Sequence, residues 1–377
     1  MCGSERTIRA AVVDAPGQPF NVRDVTLEAP REDEILVKIA GVGLCHTDIA
    51  AQAGAFGYTG AAVLGHEGAG VVEQVGRDVE GFAVGDRVAI SFRSCGTCKR
   101  CQAGFPSYCA TMPMLNYAGA RPDGSTPIRD GEKPVASSFF GQSSFATHAL
   151  TYARNLVHVP GDLPLELAGP LGCGIQTGAG AIMRSMACEA GSHLVVTGGG
   201  SVGLSAVMGA AIQRCASIIV VEPYAGRREL AREFGATHVI DPLAEDDLAA
   251  AIRAIVPEGA DYALDTTGRP DTIASLIGSL APRGLLGLVG IAPPGTPLPA
   301  EVNMLMTFGH RVMGIIEGDS DPAVFIPELI GHHRAGRLPF DRMIRTYPLS
   351  RINEAVRDQH EGRCIKAVLI PDLPAQD

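Results

Sequence analysis

Two rhythms of apolar positions divide this chain. Up to about residue 92 the apolar runs are short, as at 10–13, 35–39, 70–75 and 87–90, and turn signals separate them: Pro16-Gly17, Gly76-Arg77 and Val84-Gly85-Asp86. Short runs rich in Val and Ile and punctuated this way read as strands. The stretch 111–143 breaks the rhythm with Pro113, Pro122-Asp123-Gly124, Pro127, Asp130-Gly131 and Pro134, and reads as loop. From about residue 165 strand and helix patterns alternate. Strands are expected at 194–197, 218–221, 263–265 and 285–289, and helices at 202–214, 226–234 and 271–280. This alternation predicts an α/β fold with a doubly wound parallel sheet. The tail beyond 317 is mixed and ends in a strand at 367–370.

The uncharged stretch 194–213 approaches the roughly 20 residues of a membrane span. Thr197, the glycines at 198–200, Ser201 and Ser205 instead spell strand, turn and helix, so no span is expected. The length of 377 residues exceeds the roughly 250–300 at which one core stops growing, which predicts two domains. With 46% hydrophobic and 19% charged residues, disorder and collagen-like structure are excluded. Acidic side chains outnumber basic ones 41 to 31, and a net charge of −10 is repelled by phosphate backbones and anionic lipid. Neither nucleic acid nor membrane is an expected partner. Residues 1–9 are polar and lead into a strand-like run, so no signal peptide is expected and the cytoplasm is the expected location. Ten cysteines in such a chain argue against a disulfide framework.

Three constellations carry chemistry. Gly198-Gly199-Gly200-Ser201-Val202-Gly203 is a G-x-G-x-x-G between an apolar strand and a helix. Gly198 permits the sharp turn, Gly200 the approach of a pyrophosphate, and Gly203 close packing of helix on strand. The helix N-terminus offers free N–H groups to phosphate. Glu222 ends the next strand, where a carboxylate accepts from the adenosine ribose, so this is a dinucleotide site. Cys95-x2-Cys98-x2-Cys101-x7-Cys109 places four thiols on one loop, enough to close a tetrahedral structural zinc. An iron–sulfur cluster is the alternative, although its C-x2-C-x2-C run usually takes a fourth cysteine after three residues and before proline. The third constellation is dispersed: Cys45-His46-Thr47-Asp48, Gly65-His66-Glu67 and Gly172-Cys173-Gly174. Two thiolates and an imidazole suit an open catalytic zinc. Spacing alone does not join Cys45 to Cys173, and each residue taken singly also reads as a buried cysteine or a satisfied histidine.

Gly43–Asp48, Gly65-His66-Glu67-Gly68, the four-cysteine loop and the glycine motif occur in an order that resembles the zinc-containing medium-chain alcohol dehydrogenases. Residues 139–147 and 169–178 resemble the aryl (benzyl) alcohol branch. The resemblance implies a GroES-like, β-rich catalytic domain over 1–174, a Rossmann NAD-binding domain over 175–316, and a return segment, 317–377, completing the first. It implies that Cys45, His66 and Cys173 hold a catalytic zinc, with Asp48 and Glu67 behind them and Thr47 on the substrate oxygen. It implies NAD contacts from His46, Thr177, Gly198, Gly200, Ser201, Val202, Gly203, Glu222, Arg227, Val289, Ile291 and Lys366, the last on the pyrophosphate. Arg227 and Arg228 leave two readings open: either they bind a 2′-phosphate, or, after the turn 223–226, Arg227 covers the ribose and Arg228 points to solvent. The implied activity is reversible oxidation of a primary, aromatic or allylic alcohol by a homodimer or homotetramer carrying NAD and two zinc ions per chain. Two departures stand out. Ala50 occupies the position of a relay histidine three residues after Thr47, and Glu317 replaces an apolar nicotinamide contact. Two other readings stay open: a dehydrogenase of the same superfamily acting on a polyol, thiol adduct or biosynthetic intermediate, and a non-catalytic zinc-binding module.

Overall fold

The computed structural model describes residues 4–372 and divides into two units. The first takes the chain up to Cys173 together with Asp321–Ile330 and the residues from Asp341 onward; the second is Gly174–Ser320 with Gly331–Phe340. The segment after 317 is therefore shared, because 331–340 packs with the second unit.

Two sheets form the first unit. In one, Arg6–Val13 pairs antiparallel with Phe20–Leu27 over its whole length, flanked by Ala62–Val63 and by the hairpin Ile128–Asp130 and Lys133–Val135. In the other, Glu34–Gly43 is the hub, paired with Gly68–Val75, His148–Tyr152 and Lys366–Ile370. Val37, Val42, Leu44, Val72, Ile90 and Phe145 fill the core that these strands enclose. The proline-rich stretch 111–143 is not wholly irregular. It contains the helix Met112–Tyr117, with Pro113 in the first turn, where a missing N–H has no partner to lose. A buried ion pair ties this stretch to the hub. Arg121 donates Nε to Glu34 Oε1 (2.6 Å), one terminal nitrogen to Oε2 (2.9 Å) and the other to Glu28 (2.7 Å).

In the second unit six strands lie parallel in the order His238–Ile240, Ser217–Val221, His193–Thr197, Ala260–Asp265, Leu280–Leu288, Arg311–Gly314. This is the 3-2-1-4-5-6 order of a doubly wound sheet, with its switch point between His193–Thr197 and Ala260–Asp265. The helix Ser201–Gln213 starts directly beyond that point. It packs on Gly174–Gly180, a helix whose seven residues are all buried. Among the described residues, no helix is long and apolar enough to cross a membrane.

Candidate active site and metal centres

The thiols of Cys95, Cys98, Cys101 and Cys109 lie within 4.8 Å of one another. Backbone N–H groups are aimed at the sulfurs: Cys98 donates to Cys95 Sγ (3.3 Å), Cys95 to Cys109 Sγ (3.2 Å) and Ala110 to Cys98 Sγ (3.4 Å). Such donors favour the thiolate form that binds metal. The sulfur separations of 3.6 Å for Cys98–Cys101 and 4.0 Å for Cys95–Cys101 bracket the edge of a zinc tetrahedron, which is about 3.8 Å for Zn–S bonds of about 2.3 Å. A multi-iron cluster, with each thiolate on its own iron, needs wider spacing. The loop fits one zinc ion closed by four thiolates.

The dispersed residues converge. Cys45 and Cys173 offer sulfur, His66 a ring nitrogen and Glu67 a carboxylate oxygen, all within 4.8 Å of one another. Asp48 organises them from within the helix His46–Gln52. Its fully buried carboxylate accepts from the backbone N–H of Cys45 (2.9 Å) and Gly65 (3.1 Å) and sits 2.8 Å from His66 Nδ1. A carboxylate on Nδ1 keeps the proton there and leaves the Nε2 lone pair for a metal. His66 Nε2 is buried and has no hydrogen-bond partner, the orphan expected of a ligand atom. Cys45 is held well below the usual thiol range by its hydrogen bond with Cys173, against burial and with help from His66. Burial opposes the imidazolium form of His66, yet the charge of Asp48 raises it. Two thiols and this nitrogen fit a zinc ion with a position left over.

Lys366, expected on the pyrophosphate, pairs with Glu67 in the wall behind this centre. Its Nζ is 2.7 and 2.6 Å from the two oxygens of Glu67 and 3.1 Å from the Leu44 carbonyl, fully buried. Burial works against the ammonium, but Glu67, Cys45 and Cys173 together offset it and move Lys366 up to about 12. The sequence supplied the charge of residue 366 but not its partner 299 residues away. Thr47 is half-buried with its hydroxyl 3.7 Å from Cys45 Sγ, and His46 is exposed at the start of the same helix.

Residues 139–147 press on the imidazole. Phe140 stacks on His66 at 4.4 Å between centroids and Phe139 meets its edge at 5.6 Å. Ser138, Phe140 and Ser143 all have positive φ, a conformation costing about 1–3 kcal/mol each that persists only where the surroundings over-determine it. Here Ser143 Oγ donates to the Val63 carbonyl (2.7 Å) and accepts from the Phe139 N–H (2.9 Å), while Gln142 Nε2 donates to the His66 carbonyl (2.8 Å). Phe56, Tyr58 and Tyr117 extend the aromatic wall. Sequence reasoning missed these three because they sit on turns and a short helix with no apolar period.

In the second unit the glycine motif has the geometry its spacing predicts. Gly198 turns at φ +91°, a Cβ on Gly203 would collide with the Gly198 carbonyl, and a Cβ on Gly200 would stand in open space. That space and the uncapped start of the helix at Ser201 and Val202 fit a pyrophosphate. Glu222, 2% exposed, accepts from the Gly199 N–H (2.5 Å) and the Tyr224 N–H (2.9 Å). The Arg227 guanidinium lies 5.0 Å from the Tyr224 ring. Contrary to one of the two readings, Arg228 does not face solvent. It donates to the Glu222 and Pro223 carbonyls and pairs with Asp241 at 3.0 Å. Val289 and the half-exposed Ile291 follow the strand Leu280–Leu288 at the same, C-terminal end of the sheet. Thr177, in the helix Gly174–Gly180, is buried, its hydroxyl 3.4 Å from Glu317 Oε2. That carboxylate also accepts from Gln176 Nε2 (3.2 Å), while Ser320 Oγ lies 3.0 Å from Gln176 Oε1. Glu317 is thus a buried acceptor, which accounts for a carboxylate where an apolar residue was expected.

The pairing of a closed four-thiolate loop with a Cys-His-Cys centre, on a two-unit chain with a doubly wound sheet, matches what comparison finds. Residues 31–161 match the alcohol dehydrogenase GroES-like domain and 201–330 the zinc-binding dehydrogenase domain. The chain belongs to the zinc-containing medium-chain alcohol dehydrogenase family and is an NAD-dependent oxidoreductase. It is 48% identical to a geraniol dehydrogenase of Castellaniella defragrans over 96% of this chain and 97% of that one. Among solved structures, an alcohol dehydrogenase zinc-binding domain protein from Burkholderia ambifaria superposes with a TM-score of 0.95 at 45% identity, covering 98% of this chain and all of the other. A benzyl alcohol dehydrogenase from Acinetobacter calcoaceticus does so with a TM-score of 0.93 at 38% identity, over 97% and 100%. A non-catalytic zinc module is set aside.

Proposed function

We propose that this enzyme oxidises primary alcohols whose carbinol adjoins an aromatic ring or a double bond, passing the hydride to NAD. The observation that carries the reading is the aromatic wall on His66: Phe139 and Phe140 against the imidazole, with Tyr117 and Phe56 beside them. Phe139 and Phe140 are buried and fix the His66 ring, while the half-buried Phe56 and Tyr117 are the rings of this wall that a flat, conjugated substrate would meet. Similarity to geraniol and benzyl alcohol dehydrogenases supports it.

Cys45, His66 and Cys173 would hold the catalytic zinc, which supplies Lewis-acid polarisation of the alcohol oxygen. Asp48 fixes the ring and tautomer of His66, and Lys366 pairs with Glu67 behind the centre. Thr47 carries the hydroxyl that takes the alcohol proton, and with Ala50 in place of a relay histidine the proton leaves by another route. Gly198, Gly200, Ser201, Val202 and Gly203 bind the pyrophosphate, Glu222 and Arg227 the adenosine ribose, and His46, Thr177, Val289 and Ile291 the rest of the cofactor. Lys366 serves the pyrophosphate only if it leaves Glu67. The chain works as a homodimer or homotetramer, for which the exposed Val302, Met304, Met306 and Phe308 beside the edge strand Arg311–Gly314 offer an apolar surface. Cytoplasmic residence accords with nine described cysteines that are not in disulfides.

The test is a panel of benzyl-type, geraniol-type, aliphatic and polyol alcohols, with a glutathione adduct, read by NADH absorbance. Benzyl- and geraniol-type substrates should give the highest kcat/KM. A higher value for ethanol, a polyol or the glutathione adduct overturns the assignment.

A further inference from the structure

None of the nine described cysteines is in a disulfide, and six of them gather at the two metal centres. Cys188, Cys215 and Cys364 remain, and the first two are neighbours within the dinucleotide unit. Cys188 follows the π-helical turn Ala181–Ser185, its N–H donating to the Ile182 carbonyl (2.9 Å). Cys215 follows the helix Ser201–Gln213, its N–H donating to the Ala210 carbonyl (3.1 Å). The two helix ends are stitched together, with Gln213 Nε2 donating to the Cys188 carbonyl (3.3 Å) and the Gly191 N–H to the Arg214 carbonyl (2.9 Å). Ser192, four residues after Cys188, ties the two segments: its Oγ donates to Cys215 Sγ at 3.6 Å and its carbonyl accepts from the Ala216 N–H (2.8 Å). Cys188 is 2% exposed, whereas Cys215 is partly open to solvent.

We propose that Cys188 and Cys215 form a peroxide-sensitive pair that closes to an intrachain disulfide, Cys215 attacking and Cys188 resolving. The roles follow from access and hydrogen bonding. Cys215 is the sulfur a small oxidant reaches, and it accepts a hydrogen bond from Ser192. The neighbouring Cys188 thiol, against burial and with help from Ser192, draws Cys215 down to about 7, so thiolate is present at neutral pH. Cys188, raised by Cys215 and by burial, stays protonated.

The oxidant is hydrogen peroxide. The Cys215 thiolate attacks one peroxide oxygen, the O–O bond breaks, and hydroxide leaves, giving a sulfenic acid. The Cys188 sulfur then attacks the Cys215 sulfur. The S–O bond breaks, and the hydroxyl departs as water with the Cys188 proton. Two thiol sulfurs have lost two electrons in all, and one peroxide has been reduced. No metal ligand takes part, so the modification is separate from oxidation of either zinc centre.

The zinc-loaded full chain is treated with a small excess of hydrogen peroxide, then denatured, alkylated and mapped by mass spectrometry. A linked peptide pair containing Cys188 and Cys215 is expected, abolished by dithiothreitol. In Cys188→Ser the intermediate has no resolving partner, and dimedone should label Cys215. In Cys215→Ser, Cys188 should stay fully alkylatable under the same dose. The proposal is overturned if both cysteines of the wild type remain alkylatable. It is equally overturned if Cys215 links to a different cysteine, or if dimedone fails to label Cys215 in Cys188→Ser. The Cys188→Ser arm stands alone if Cys215→Ser folds poorly.

Discussion

Replacing Glu222 tests what sets the preference for NAD over NADP. Both oxygens of its carboxylate are anchored, at 2.5 Å on the Gly199 N–H and 2.9 Å on the Tyr224 N–H. The charge is therefore fixed at the glycine turn and cannot swing away from an arriving 2′-phosphate. Two unit charges about 4 Å apart at an effective dielectric of about 20 repel by about 4 kcal/mol. A phosphate monoester carries about −1.5 to −2 near neutral pH, so the unrelaxed penalty is about 6 kcal/mol. Solvent, the two N–H donors and Arg227 offset most of it. If a third survives, about 2 kcal/mol remains, or about 30-fold. Arg228, held by Asp241, is already committed. Glu222→Gln keeps the shape and removes the charge, so the ratio of kcat/KM for NADP to that for NAD should rise about 30-fold, chiefly through KM. Glu222→Ala also removes both anchors of the turn and should weaken NAD as well. Steady-state kinetics with each cofactor in wild type and variants decides the matter. A wild type that uses both equally, or a ratio that moves less than about threefold in both variants, refutes the reasoning.

Further outcomes follow from the metal centres and the first unit. Metal analysis should find two zinc ions per chain in active protein; Cys173→Ser should abolish turnover with little change in thermal stability, while Cys98→Ser should lower stability, because zinc in a closed site contributes to folding. Chelator should strip the centre at Cys45, His66 and Cys173 first, read as activity lost before the second equivalent of zinc is released. Arg121→Met leaves Glu34 buried beside an apolar side chain, and removing one partner of a buried pair costs about 3–5 kcal/mol. The urea midpoint should fall accordingly, and a loss below about 1 kcal/mol would show the pair to be dispensable. His148 is lowered from its ordinary value of 6.5 by burial and by Arg6 and Lys38, against Glu73. Below pH 6.5 the unfolded chain therefore takes a proton that the folded chain refuses, and stability falls as pH drops through the folded value. His148→Gln removes this loss, so urea titrations at pH 7.5 and 5.5 should show its standing relative to wild type improving in acid.

The glycine turn was legible because its chemistry is local: Gly198, Gly203 and the helix start lie within six residues, and the strand before them carries the apolar run 194–196. The four-cysteine loop was legible for the same reason. The dispersed centre was not. Cys45, His66 and Cys173 acquire meaning only when Asp48 and the strands around Glu34–Gly43 bring them together, and resemblance rather than spacing joined them. The helix Gly174–Gly180 escaped notice because all seven residues are buried, which erases the 3.6-residue alternation that marks a surface helix. The helix Met112–Tyr117 was hidden by Pro113, a breaker inside a helix but neutral in its first turn. Lys366 and Glu317 show the limit for charged residues. Sequence places a charge, but its partner, Glu67 in one case and Gln176 with Thr177 in the other, is a property of the packed chain.

The two cysteine-bearing centres differ in how much chain must be laid down before each can close. Cys95 and Cys109 are 14 residues apart, whereas Cys45 and Cys173 are separated by 128. The entropy of closing a loop grows as about (3/2)RT ln n, so the longer closure is dearer by about 2 kcal/mol before any packing compensates. It also waits for synthesis to pass residue 173, while the shorter one needs only the chain to residue 109. A nascent polypeptide of this enzyme therefore captures its metals in sequence. The first is taken by a self-contained knot of chain, and the second by a cradle that exists only after the sheet around Glu34–Gly43 has folded.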